Sequence, residues 1–234
     1  MLDRSLIPNV VTLINLMAGS TAVVAFLHGQ SELGIVLVVV SGLADFADGL
    51  VARALGVQLE LGKQLDSLAD VISFGLVPGV ILYTLLRDTP AVDWAAVPAF
   101  VLTAFAAYRL GSFNLDTRQE MGFIGMPTPA CTLLVVGYFL WIDQDAFGLA
   151  SLFSESYLLY PLIALLSYLM VAELPMFSLK FKARRWGGNE IKFIFAAIAV
   201  VALIGLRELA LLPIMVLYIL LSLGQYWTTR KKTS

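Results

Sequence analysis

The chain is poor in cysteine, histidine and charge, and each scarcity removes a class of function. Cys131 is the sole cysteine, so no intrachain disulfide can form, and a lone thiol in an apolar stretch reads as core. His28 is likewise single and reads as a helix-end residue rather than a metal ligand, and the lack of clustered Cys or His argues against a structural zinc site. Charged residues make up only 14% of the 234 positions, against about 25% in soluble domains. With 59% hydrophobic residues and a mean hydropathy of +0.87, an ordinary water-facing surface is excluded. The net charge of −2 decides nothing, because in a membrane protein placement matters more than sum. No linker, low-complexity tract or internal repeat marks a second domain, so residues 1–234 read as one membrane domain.

What is abundant is long apolar runs. Spans at about 8–28, 33–55, 63–87, 92–112, 127–143, 156–174, 191–206 and 208–227 are each bounded by charged or turn-forming residues, and roughly 20 mostly apolar residues suffice for a helix to cross a bilayer. The expected fold is an all-α polytopic bundle of about eight transmembrane helices. The first run follows Asp3 and Arg4 and contains Ala18, Gly19 and Ser20, as a signal peptide would. Because further spans follow it and no hydrophilic domain appears, it is expected to be a retained helix. Only Arg207 and Glu208 divide the last two spans. One unbroken helix there would run about 54 Å at 1.5 Å per residue, so a tight turn is expected.

Basic residues set the orientation. With a cytoplasmic N-terminus, that side receives thirteen: Arg4, Arg53, Lys63, Arg109, Arg118, Lys180, Lys182, Arg184, Arg185, Lys192, Arg230, Lys231 and Lys232. The other side receives Arg87 and Arg207 alone. This is a positive-inside distribution with both termini cytoplasmic. The Lys180–Arg185 cluster reads as a topology anchor, with contact to anionic head groups the alternative. Trp94, Trp141, Trp186 and Trp227 fall near span ends, as interfacial aromatics do. Glu173, before Pro175, either pairs with the basic loop beyond it or marks the boundary.

Between the second and third spans stands a stretch that ordinary membrane helices do not explain. At about 100° per residue, Asp45, Asp48, Gly49 and Ala52 share one face of the second helix, and Gly62, Asp66 and Asp70 share one face of the third. The short loop 56–61 makes the helices antiparallel neighbours, so both acidic faces meet near the cytoplasmic surface. Each intramembrane aspartate costs about 2.5–3.5 kcal/mol on insertion scales. Divalent cations are the natural compensation, since hard ions such as Mg²⁺ take carboxylate oxygens and a pair of them can clamp a phosphoryl group. Gly49, Ala52 and Gly62 leave room for a flat base or a diphosphate, or equally for close helix packing.

The pattern Asp45-x-x-Asp48-Gly49-x-x-Ala52-Arg53, eight residues, then Gly62-x-x-x-Asp66-x-x-x-Asp70 resembles the signature of the CDP-alcohol phosphatidyltransferases. The resemblance implies that Asp45, Asp48, Asp66 and Asp70 hold a dinuclear Mg²⁺ or Mn²⁺ centre and that Asp70 is the base on the acceptor hydroxyl. It further implies that Asp48, Gly49, Ala52 and Gly62 line the cytidine diphosphate pocket. Arg53 either meets a phosphate there or snorkels to the interface. Relatives of this kind imply a homodimer; the expected location is a bacterial inner membrane, a eukaryotic organelle being the alternative, with the active site facing the cytoplasm.

Outside the hairpin the chain resembles the phosphatidylserine synthase branch. Pro8-Asn9-Val10-Val11-Thr12 is similar to its Pro-Asn-x-x-Thr element, so Asn9 and Thr12 are expected at the substrate phosphates, an ordinary helix cap being the alternative. Ser73-Phe74-Gly75-Leu76-Val77-Pro78-Gly79 is similar to the same branch, with Pro78 and Gly79 expected to bend the third helix. The segment Tyr108-Arg109-Leu110, Phe113-Asn114 and Asp116-Thr117-Arg118 resembles the part associated with serine recognition. A zwitterionic amino acid needs a cation for its carboxylate and an acceptor for its ammonium; Arg109, Asn114 and Arg118 with Asp116 offer these. The implied substrates are CDP-diacylglycerol and L-serine. Glycerol 3-phosphate or inositol phosphate as acceptor stays open, though a phosphate dianion would call for more basic residues. A cation transporter using buried aspartates is the alternative from another class.

Overall fold

The computed structural model describes residues 6–57, 60–87, 93–115, 123–176 and 190–233. Helix α1 (Leu6–Leu27) and α2 (Ser31–Leu55) form an antiparallel hairpin, turning at Gly29, whose φ of 72° suits a residue without Cβ. His28 ends α1, its Nδ1 2.8 Å from the Val24 carbonyl, as its position at the edge of the apolar run suggested. The two helices close together where Gly34 faces Phe26. A Cβ on Gly34 would lie 2.7 Å from that ring.

A long rod follows, built from α3 (Glu60–Asp70), a π-helical turn (Val71–Leu76) and α4 (Val77–Arg87). Sequence placed the irregularity at Pro78 and Gly79; it lies in the turn just before them. Pro78 has no N–H to give to the Phe74 carbonyl, so the regular ladder cannot run through this point. Neighbouring helices satisfy the carbonyls instead: Thr132 Oγ1 donates to Phe74 O at 3.1 Å, and Thr103 Oγ1 to Gly75 O at 3.0 Å. A 3₁₀ stretch (Asp93–Phe100) leads into α5 (Val101–Leu115). Helix α5 packs against the π turn because Gly75 is bare; a Cβ there would meet Ala106 Cβ at 3.0 Å.

Next come β1 (Phe123–Ile124), α6 (Thr128–Asp143), a 3₁₀ turn (Ala146–Gly148), α7 (Ala150–Phe153) and α8 (Ser156–Val171). The chain ends with β2 (Pro175–Met176), α9 (Glu190–Leu206), a 3₁₀ turn (Arg207–Ala210) and α10 (Leu211–Thr233). The antiparallel β1–β2 bridge is a small departure from the all-α expectation. The hydrophobic core runs through α4, α6 and α8, with Ile81, Leu82, Val135, Leu159, Leu166 and Met170 fully enclosed. Cys131 is buried in it.

Among the described residues, five helical stretches are long and apolar enough to cross a membrane: 6–27, 31–55, 60–87, 94–115 and 191–226. Helices 128–143 and 156–171 are apolar but shorter. The chain is therefore a predominantly helical, multi-pass membrane protein in class. Within 191–226, Arg207 adopts a φ of 51°, and the Phe195 and Tyr218 rings, eleven or twelve residues to either side, stand 6.2 Å apart. Helix α10 thus folds back along α9. Trp94 is 81% exposed, whereas Trp141 is used internally, its Nε1 donating to Leu209 O at 2.9 Å. Trp186 and the basic cluster Lys180–Arg185 lie outside the described residues, as do Asp116, Arg118 and the side chain of Trp227.

Candidate active site

The acidic faces of α2 and α3 do meet, because the connection 56–59 is short and Gly56, at φ 64°, ends α2 in a left-handed turn. Carboxylate oxygens of Asp45, Asp48 and Asp66 lie within 4.8 Å of one another. Asp66 Oδ1 is buried with no hydrogen-bond partner among the described residues. A buried carboxylate oxygen without a donor is costly. Three oxygen donors in contact with one of them orphaned fit a hard divalent cation, so these three residues form a cluster that could hold a metal ion. Asp70 stands one turn further along α3, about 6 Å deeper than Asp66 at 1.5 Å per residue.

Beside the cluster opens a cavity of about 530 Å³ between the start of α1, the end of α2 and the start of α3. Asn9, Thr12, Asp48, Gly49, Ala52 and Gly62 line it, with Pro8, Val57, Glu60, Lys63 and Asp66. The start of α1 is therefore a wall of the cavity and Thr12 is no helix cap. Its hydroxyl donates to Asp48 Oδ2 at 2.6 Å, which holds that carboxylate against α1. Gly62 is bare where α3 passes Asn9; a Cβ would lie 3.1 Å from Asn9 Oδ1. Arg53 does not line the cavity but folds back over Gly49, its Nη1 3.3 Å from where a Cβ would be.

The residues expected at the acceptor are placed differently from one another. Arg109 is 7% exposed, with its Cζ 5.8 Å from the Phe113 ring. Its Nε and Nη2 are buried without hydrogen-bond partners among the described residues. Asn114 is engaged elsewhere: its Nδ2 donates to Ser67 Oγ at 2.6 Å, and its carbonyl accepts from Lys63 Nζ at 3.2 Å, tying the end of α5 to α3.

Sequence reasoning missed Asn15. Fully buried on α1, it accepts from Ser41 and Ser73 and donates toward Asp70, joining three helices at the floor of the cluster. The available signal was an amide in mid-span, three residues and so one helical step beyond Thr12, where hydrocarbon tolerates no unpaired amide.

Comparison with known proteins points the same way as the geometry. A Mycobacterium leprae protein named CDP-diacylglycerol–serine O-phosphatidyltransferase is 32% identical over 181 residues, 74% of this chain and 59% of that protein. One of the same name from Methanocaldococcus jannaschii is 30% identical over 207 residues, 88% of this chain and 87% of the relative. An archaetidylserine synthase from Methanothermobacter thermautotrophicus is 29% identical over 137 residues, 57% of this chain and 58% of the relative. The chain thus spans less than two thirds of the length of the first and third of these. The sequence profile of the CDP-alcohol phosphatidyltransferases matches residues 5–172, which contain the whole acidic hairpin, the start of α1 and Arg109. With more than half of the chain matched and the motif aspartates gathered beside one cavity, the protein belongs to the CDP-alcohol phosphatidyltransferase family.

Proposed function

We propose that the protein is a CDP-diacylglycerol–serine O-phosphatidyltransferase, moving the phosphatidyl group from CDP-diacylglycerol to the hydroxyl of L-serine with release of CMP. The observation that carries the reading is the grouping of Asp45, Asp48 and Asp66 beside the α1–α3 cavity, with Asp66 Oδ1 lacking a donor among the described residues. Asp45, Asp48, Asp66 and Asp70 would hold two Mg²⁺ or Mn²⁺ ions, which when bound neutralise the diphosphate and favour departure of CMP.

The chain's own residues account for the rest. Gly49, Ala52 and Gly62 leave the backbone bare where the cytidine diphosphate enters, and Asn9 and Thr12 offer it polar side chains from α1. Asp70 takes the proton of the serine hydroxyl. The serine oxygen bonds to the phosphatidyl phosphorus as the bond from that phosphorus to the CMP oxygen breaks.

Serine is supported by the names of the relatives and by Arg109. Its two orphaned nitrogens, Nε and Nη2, form the side-on edge of the guanidinium, the fork that receives a carboxylate bidentately. Asn114 and Arg118 would complete the acceptor site, Asn114 after exchanging its bond to Ser67. The reading places the enzyme as a homodimer in the cytoplasmic membrane, with about eight crossings, both termini and the site cytoplasmic. Its supports are the family resemblance and the thirteen-to-two distribution of basic residues.

The test is CMP release by the purified full chain with CDP-diacylglycerol and Mn²⁺ or Mg²⁺, each of serine, glycerol 3-phosphate and inositol phosphate being supplied in turn. Release with serine alone is expected. Release with a phosphorylated alcohol instead would move the acceptor assignment, and silence with all three would strike the transferase reading itself.

A further inference from the structure

Asn15 has no solvent exposure, and its carbonyl oxygen is fully committed. Oδ1 accepts from Ser41 Oγ of α2 at 2.5 Å and from Ser73 Oγ of the π turn at 2.7 Å, filling both lone pairs. Turning the amide over would aim Oδ1 at a carboxylate and give up both bonds, so Nδ2 is fixed on the side of Asp70. It stands 3.4 Å from Asp70 Oδ1, longer than the usual N–H···O distance of about 2.9–3.0 Å and therefore an orienting contact.

The surroundings are built to bring these groups together. Ser73 lies three residues past Asp70, in the widened turn that Thr132 and Thr103 hold open through the Phe74 and Gly75 carbonyls. Gly19, one turn beyond Asn15 on α1, is bare against that turn; a Cβ would come within 3.0 Å of Ser73 Cα. A tie between helices needs only the Asn15 oxygen. The amide aimed at Asp70 is the part that packing does not require.

We propose that Asn15, set by Ser41 and Ser73, is a positioning residue that occupies one oxygen of Asp70 and leaves the other to face the acceptor hydroxyl. The proposal rests on the transferase reading, in which Asp70 takes the acceptor proton. Removal of the amide leaves the Asp45–Asp48–Asp66 cluster and the cavity intact but lets the Asp70 carboxylate rotate. Misplacement of a catalytic group by an ångström costs up to about 100-fold in rate.

The experiment compares wild type with Asn15→Leu, which keeps the volume and loses both polar functions. In Asn15→Leu, kcat should fall about 100-fold, while KM for both substrates and affinity for the Mn²⁺ ion held by Asp45, Asp48 and Asp66, followed by electron paramagnetic resonance, stay within about two-fold. The double variant Asn15→Leu/Ser73→Ala should be no slower than Asn15→Leu, because Ser73 acts through Asn15. A readout free of turnover is the infrared carboxyl band of Asp70, in protein carrying ¹³C at its aspartate carboxyls and identified by its loss in Asp70→Asn; it should shift in Asn15→Leu. Near-normal kcat, an unmoved band, or loss of Mn²⁺ binding in step with activity would each overturn the proposal. Should Asn15→Leu not fold, Ser41→Ala/Ser73→Ala removes only two hydroxyls and carries the same kcat and infrared expectations. Wild type inactive with every alcohol would defeat the transferase reading instead, and the infrared band would still decide the contact.

Discussion

The Thr12 hydroxyl donates to Asp48 Oδ2 at 2.6 Å, so the first helix fixes a carboxylate of the acidic cluster before any ligand arrives. Hydrogen bonds to charged groups contribute about 1.5–3 kcal/mol. Thr12→Val, which keeps the shape, should raise KM for CDP-diacylglycerol about ten-fold and leave KM for serine unchanged. Steady-state kinetics with each substrate varied in turn check this; equal rises in both constants would mean that α1 is merely displaced.

Asp66 presents the orphaned oxygen, so its replacement tests the metal cluster most directly. Asp66→Asn exchanges one anionic oxygen for an amide at nearly constant volume. Mn²⁺ affinity should fall at least about ten-fold, or about 1.4 kcal/mol, with activity lost in parallel. Chelation of wild type should abolish CMP release, and added Mn²⁺ or Mg²⁺ should restore it. Titration followed by electron paramagnetic resonance, with thermal unfolding as control, separates ligand loss from misfolding.

How much of this was legible in the sequence depended on the kind of signal. The four aspartates were legible because charge in hydrocarbon is costly and their three- and four-residue spacings put them on single helix faces. The break at Arg207 was legible because charge interrupts an apolar run too long for one crossing. Asn15 was not, since a single amide carries no charge and its partners Ser41 and Ser73 are distant in sequence. Nor was the engagement of Asn114 with Ser67, which depends on how the end of α5 crosses α3. Pro78 announced an irregular helix and the loss of a donor to Phe74 O, yet the donors that serve the turn instead, Thr103 and Thr132, come from helices distant in sequence.

Gly62 carries a steric prediction. A methyl group there would stand 3.1 Å from Asn9 Oδ1, so Asn9 must shift on the cavity wall. Gly62→Ala should raise KM for CDP-diacylglycerol several-fold with kcat nearly preserved, since the aspartates are untouched. In Gly62→Ala/Asn9→Ala the crowding is gone, and KM should be no worse than in Asn9→Ala. A further rise in the double variant would place the defect in the α3 backbone.

On the serine reading, Arg109 belongs to the acceptor site and not to the donor site, which its replacement can test. Lysine keeps the charge but has no planar fork, so Arg109→Lys should raise KM for serine by about 10–100-fold, about 1.4–2.8 kcal/mol, with KM for CDP-diacylglycerol little changed. Serinol, which lacks the carboxylate, should discriminate poorly between wild type and Arg109→Lys. A variant equally weakened toward serine and serinol would assign Arg109 to packing against Phe113.

The π turn after Asp70 depends on a hydroxyl from a helix outside the acidic hairpin. Thr132 is 1% exposed, and its Oγ1 is shared between Phe74 O at 3.1 Å and Thr128 O at 3.0 Å. In an α-helix the Phe74 carbonyl would take the N–H of residue 78, which Pro78 lacks. Thr132→Val leaves that buried carbonyl without the hydroxyl, at a cost of about 1–3 kcal/mol. Because the turn begins at the residue after Asp70, the loss should lower kcat as well as the unfolding temperature. Thr132→Ser restores the donor with one methyl fewer, so it should recover kcat while staying somewhat less stable than wild type. If Thr132→Ser and Thr132→Val are equally slow, the methyl group rather than the hydrogen bond sets the turn.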